Sequence, residues 1–99
     1  MIYFCIYNNS HNFEWDEQKN KLNIQKHGYN FNDVQKVFDK RHVTSESFGN
    51  YGEQRYLTIG VFDKAAVVVI HVMRGTAIRI ISFRRANRKE RRILLSWLL

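Results

Sequence analysis

Ala65-Ala66-Val67-Val68-Val69-Ile70-His71-Val72 is a run of eight residues with a single polar side chain. It is too short for a buried helix and rich in β-branched residues, so it reads as a central strand covered on both faces. Outward from it, Arg55–Phe62 is β-rich and joined by the short polar pair Asp63-Lys64. On the other side, Arg74-Gly75-Thr76 is a tight connection into Ala77–Arg84, another strong strand. Val43–Phe48 alternates weakly, and Gly49-Asn50-Tyr51-Gly52 is a turn cluster.

The flanks read as helix. Asp16 is placed to cap a helix over about Glu17–His27, with Phe13–Trp15 as its apolar entry. That helix is mostly polar, and its definition comes from its ends: Gly28 stands where a C′ glycine belongs, with Tyr29 positioned for a Schellman ending. Asn30 caps a second helix whose apolar stripe is Phe31, Val34, Val37 and Phe38. Asn87, with Glu90 three residues on, forms a capping-box start for a last helix to Leu99. Helix, helix, three or four antiparallel strands, helix is an α+β order. Residues 1–12, with a short strand at Ile2–Tyr7, read as an N-terminal extension, and 13–99 as a single domain.

Ninety-nine residues allow one hydrophobic core. Sixteen Lys and Arg against nine Asp and Glu give a net charge of +7. Residues 1–50 hold six basic and six acidic side chains, whereas 51–99 hold ten and three, so the whole excess lies in the second half. Such asymmetry points to a polyanionic partner. Cys5 is the only cysteine, which excludes a disulfide scaffold and fits a reducing, cytoplasmic setting. No apolar run is long enough to span a membrane, and the first residues lack the marks of a signal peptide.

Arg79 and Arg84 stand inside an apolar strand, where a charge is costly unless a partner or a wet cleft receives it. Strict alternation puts them on opposite faces, so one shared site requires that the strand twist or bulge near its end, or that Arg84 lie past it. The neighbouring cations Arg85, Arg88, Lys89, Arg91 and Arg92 read either as a solvated helix face or as a phosphate track. Lys26-His27 ends the first helix; the imidazole suits proton transfer near neutral pH, or alternatively a bond to the last helix carbonyls. Glu53 and Arg55 make either an ion pair or a base with its phosphate cation. Tyr51 is a candidate for stacking on a base, and Trp15 belongs more naturally to the core. The histidines (His11, His27, His42 and His71) share no metal-ligand spacing, and no nucleotide-binding loop or nucleophile elbow is present. No metal and no cofactor are therefore expected.

Phe13-Glu14-Trp15-Asp16, Lys19-Asn20, Asn23, Lys26-His27-Gly28, Phe31 and Val37-Phe38-Asp39, in this order, resemble the opening of the BrnT toxins. Gly52-Glu53-Gln54-Arg55, Ile59-Gly60, Arg79-Ile80-Ile81-Ser82, Arg84, Ala86 and Glu90-Arg91 continue the resemblance. It implies a RelE-like fold, with two N-terminal helices packed on a three- to four-stranded antiparallel sheet and a C-terminal helix. It also implies a type II toxin, an endoribonuclease that arrests translation and is neutralised by a BrnA-like antitoxin. Operator DNA is then reached only through the antitoxin, and a dimer of toxin–antitoxin heterodimers is expected. Phe83, where the family usually has a small residue, is expected to crowd the site.

On this reading His27, Glu53, Arg79 and Arg84 are catalytic, and Lys26, Arg55, Tyr51, Arg85 and Arg88 hold RNA. The competing reading is a non-catalytic basic module, a decayed toxin that only binds nucleic acid or antitoxin.

Overall fold

The computed structural model describes residues 2–5, 12–47, 49 and 52–98. In chain order these form β1 (Ile2–Cys5), β2 (Asn12–Glu14), α1 (Glu17–His27), a single 3-10 turn (Phe31–Asp33), α2 (Val34–Phe38), β3 (His42–Ser47), β4 (Arg55–Phe62), β5 (Ala65–Arg74), β6 (Ala77–Arg85) and α3 (Arg88–Leu98). The class is α+β, as expected, but the sheet is larger than expected and mixed. Six strands run in the order β1-β3-β4-β5-β6-β2. β1 adds antiparallel to β3, and β2 lies parallel to β6. Phe13, read as part of a helix entry, is in fact the middle of β2; three residues are too few to display strand alternation. The second helix is also shorter than its apolar stripe implied, being a 3-10 turn followed by five helical residues.

β5 is buried on both faces, as its composition required: Val67, Val68 and Val69 are fully inaccessible. One face of the sheet carries Val67, Val69, Ile78, Ile80 and Phe83 against Phe31, Val34, Val37 and Phe38. The other carries Val43, Ile59 and Val68 against Leu94 of α3. α2 lies very close to β4, for a Cβ added at Gly60 would stand 2.7 Å from Val37 Cγ1. The first core also contains polar groups, in which Thr44 Oγ1 and Thr58 Oγ1, and Thr58 Oγ1 and His71 Nε2, are each 2.8 Å apart.

α1 has a weak apolar face because its buried residues are asparagines, Asn20 and Asn23. β2 covers the β6 edge only as far as Arg79. Beyond it, the Asn23 side chain takes the place of a strand. Its Nδ2 donates to the Phe83 carbonyl (2.8 Å) and the Tyr29 carbonyl (2.9 Å), and its Oδ1 accepts from the Phe83 N–H (3.2 Å). Asn20 Oδ1 accepts from the Phe31 N–H at 2.8 Å and ties α1 to the next turn. Asp16 caps α1 as expected, accepting from the Gln18 and Lys19 N–H groups. At the other end Gly28 adopts φ 78°, where its N–H donates to the Ile24 carbonyl at 2.8 Å. This is the simpler αL ending. Tyr29, instead of closing a Schellman motif, stacks on Phe83 with ring centroids 4.8 Å apart.

β6 carries a bulge. Ile70 pairs with Ser82 and His71 with Ile80, which leaves Ile81 as the extra residue. An extra residue reverses the alternation beyond it. Ile78, Ile80 and Phe83 thus share the first core, and Ser82 and Arg84 share the opposite face with Arg79.

Asn23→Ala would strand the buried Phe83 N–H and carbonyl together. We expect a loss of about 2–4 kcal/mol in urea denaturation, given roughly 1–3 kcal/mol for each buried group left unsatisfied. Asn23→Asp, which keeps the acceptor and loses the donor, should lie between the two.

Candidate functional site

The groove between α1 and the bulged part of β6 is lined by Lys19, Leu22, Asn23, Lys26, His27, Ile81 and Ser82. Lys19, Leu22, Asn23 and Lys26 follow the helical i, i+3, i+4, i+7 spacing, so one face of α1 supplies two ammonium groups around a shallow floor. His27, on the last turn of α1, adds the imidazole. Its pKa lies below the ordinary 6.5 because it is partly desolvated and because Lys26 and Arg84 repel a second positive charge. A neutral imidazole at physiological pH is the form that accepts a proton.

Arg84 is not an open fork. Its two terminal nitrogens donate to Glu90 Oε1 (2.8 Å) and Oε2 (2.9 Å), and Nη1 also reaches the Arg85 carbonyl. The hydrogen bonds from Arg84 hold the Glu90 carboxyl below its usual range, and Glu90 in turn raises the Arg84 pKa. The capping box read from Asn87 and Glu90 is present in both directions: Glu90 Oε1 accepts from the Asn87 N–H, and Asn87 Oδ1 from the Glu90 N–H, each at 2.8 Å. The start of α3 is therefore already supplied with a carboxylate of its own.

Arg79 is held differently. Its Nη1 donates to Glu14 Oε2 at 2.9 Å, across the β2–β6 pairing that aligns the two residues. Arg79 also pairs with Val72, and Arg55 with Ser47. Extending the Tyr56–His71 register by one step places Arg55 opposite Val72. Arg55 and Arg79 then flank Val72 on one face of the sheet, two strand spacings or about 10 Å apart at the backbone.

The sequence candidates thus fall into two groups along β6. His27 and Lys26 line the groove, and the charge of Arg84, which is not part of its lining, is felt at His27. Arg55 and Arg79 form a second cationic stretch on the face that α3 covers further along. Glu53 and Arg88 are exposed, at the turn before β4 and at the first position of α3. Arg85 is exposed at the end of β6. Tyr51 lies outside the described residues. Phe83 does not crowd the groove: the bulge sends it into the core, fully buried against Tyr29, on the face away from Ser82 and Arg84. Lys19 and the two partner carboxylates, Glu14 and Glu90, were not among the site candidates. The carboxylates lie 65 and 6 residues from the arginines they hold. The capping-box signature did locate Glu90, but as a cap and not as a counter-ion. Among the described residues no three His, Cys, Asp or Glu side chains converge as a metal site, and no helix is long and apolar enough to cross a membrane.

An imidazole and several cations gathered beside one groove of a small basic domain are the groups that phosphodiester chemistry uses. The chain belongs to the BrnT family: the family model, described as the ribonuclease toxin BrnT of type II toxin–antitoxin systems, matches residues 15–90. Membership implies an RNA target and an antitoxin partner. A search among curated proteins finds no match.

Two of these groups make stability depend on pH with the same sign. The folded chain binds a proton at His27 and at Glu90 less readily than the unfolded chain does. Their contributions are complete above the unfolded values of 6.5 and 4.5 and are lost as pH falls through the lower folded values. Urea denaturation at a series of pH values should show stability declining below 6.5 and again below 4.5. Glu90→Gln should flatten the second decline.

Proposed function

We propose that the protein is a metal-independent endoribonuclease that arrests translation and is silenced when a BrnA-like antitoxin covers its basic face. The observation that carries this reading is the convergence of His27, Lys19, Lys26 and Ser82 on one groove in a member of a ribonuclease toxin family. A base removes the proton of a ribose 2′-OH, and the oxygen attacks the adjacent phosphorus. The P–O5′ bond breaks as an acid returns a proton to the leaving oxygen. The products are a 2′,3′-cyclic phosphate and a 5′-hydroxyl.

His27, poised neutral, is the proton-transfer group within the groove. Glu53, exposed before β4, is the second that the sequence offers. Lys19 and Lys26 oppose the charge that grows on the phosphorane oxygens, and Arg84, held by Glu90, adds fixed positive charge. Arg79 and Arg55 receive a further phosphate of the same strand, a role in which RNA must compete with Glu14 for Arg79. Arg85 and Arg88 lie exposed where they can extend that track. In the toxin–antitoxin complex we expect a dimer of heterodimers, with operator DNA bound by the antitoxin, in the cytoplasm.

The test is RNA cleavage by the purified, antitoxin-free chain in excess EDTA. His27→Ala should lower the rate by about 10²–10⁴-fold, the usual contribution of general acid–base catalysis, and leave the melting temperature near wild type. Arg79→Ala should abolish both cleavage and toxicity with the fold intact. Binding that fades with salt, with no cleavage product and no effect of His27→Ala, would instead establish a basic binding module.

The pH profile gives a separate check. The acid limb of kcat/KM should have its midpoint below the ordinary imidazole value of 6.5 and disappear in His27→Ala.

A further inference from the structure

Glu14 stands between two aromatics anchored in the first core. The Phe13 ring lies against Phe38 with centroids 5.2 Å apart, and Trp15 meets Phe31 edge-on at 6.2 Å. With its neighbours fixed on that face, alternation puts the Glu14 side chain on the other, opposite Arg79 in the β2–β6 register. The ion pair joins one oxygen to one nitrogen, Oε2 to Nη1 at 2.9 Å, and is the one hydrogen bond of the Arg79 side chain among the described residues. Both side chains stay partly open to solvent, 27% for Arg79 and 41% for Glu14. Arg84, held at both terminal nitrogens by a buried carboxylate, has no such opening. The strand order β4-β5-β6-β2 puts Glu14 and Arg55 on opposite sides of Arg79. The carboxylate therefore draws the guanidinium toward the sheet edge and away from Arg55.

We propose that Glu14 is an internal competitor for RNA phosphate: it occupies Arg79 in the free protein, gives it up when a strand binds, and so sets how tightly the basic face holds RNA. β2 is pinned at Phe13 and Trp15, so the arginine is the moving part. Released, its side chain turns inward over Val72, and with Arg55, about 10 Å away at the backbone, it acts on one phosphate. A phosphodiester offers two free oxygens to the guanidinium fork where Glu14 supplies one. A single, partly solvated ion pair is also weak enough to open. That the ligand is RNA rests on the ribonuclease reading; the exchange rests on the ion pair.

The experiment is binding of a fluorescein-labelled, single-stranded 2′-O-methyl RNA, followed by anisotropy over a range of salt concentrations. This probe lacks the attacking hydroxyl and is not cut. Glu14→Gln keeps an oxygen for Nη1 and removes the charge. Its Kd should fall by about threefold to fivefold at low salt, the upper range for an ion pair of this exposure. The slope of log K against log salt should steepen by about 0.7, as one more phosphate is neutralised. The control is Asp33→Asn, the same change in net charge at an acid paired with Lys36, in the turn packed on the opposite face of the sheet. It should change Kd by less than about twofold and leave the slope as it is. Side-chain NMR of the wild-type chain needs no variant: saturation with the same RNA should shift the Arg79 Nε–H resonance and the Glu14 carboxyl carbon together. If Glu14→Gln binds no more tightly than Asp33→Asn, or if bound RNA leaves both resonances in place, the proposal fails and the ribonuclease reading stands. Binding without cleavage of unmodified RNA would overturn the ribonuclease reading and leave the exchange standing. No binding by either wild type or Glu14→Gln would end both.

Discussion

The amide of Asn23 is the contact on which the arrangement of the molecule depends. β6 has a free edge once β2 ends at Arg79, and a free edge inside a small domain leaves backbone donors and acceptors to be satisfied. A carboxamide is the one side chain that offers a donor and an acceptor side by side, as a strand does. By bonding both the N–H and the carbonyl of Phe83, Asn23 fixes α1 to β6 at a set height along both. Lys19, Lys26 and His27 share that helix and Ser82 and Arg84 adjoin Phe83, so the same contact aligns the two walls of the groove. Apolar packing would bury α1 as well, but it is not directional and would not set the register.

Both arginines inside the last strand turn out to be held by acids from other elements, Arg79 by Glu14 and Arg84 by Glu90. The two pairs differ in character. Glu14 remains 41% exposed, so solvent and an incoming phosphate can compete for its partner. Glu90 is saturated by the helix start and by both guanidinium nitrogens. One arginine is therefore exchangeable and the other is built in. This division makes sense of a strand that carries two costly charges: each is received by a carboxylate, one open to solvent and the other enclosed.

The strongly patterned parts of the fold were legible in the sequence because burial on both faces demands a composition nothing else needs. β4 runs over the residues read for it, β5 and β6 extend only slightly beyond theirs, and the caps at Asp16 and Asn87 act as read. β2 escaped because its pairing is with a strand more than sixty residues away and its length is below one period of evidence for alternation. The inner face of α1 escaped because asparagine is ordinarily a surface or capping residue, and only its partners reveal it as buried glue. At the site, alternation alone sets Arg79 and Arg84 on opposite faces; the bulge returns them to one face, although different carboxylates hold them in separate groups. The residue at which it occurs was not legible, since Ile81 differs in no chemical way from Ile80 beside it.

That bulge makes the register of β6 part of the design in a way its composition is not. Were Ile81 taken into the ladder opposite Ile70, the strand would pair with β5 without interruption, and each later side chain would exchange faces. Phe83 would leave the aromatic stack for the side of α3, and Ser82 and Arg84 would be driven toward the first core. Deleting Ile81, by contrast, would remove the bulge and leave Ser82, Phe83 and Arg84 opposite the same β5 partners. The end of the strand is thus set by which residue stands outside the ladder and not by how many residues it contains.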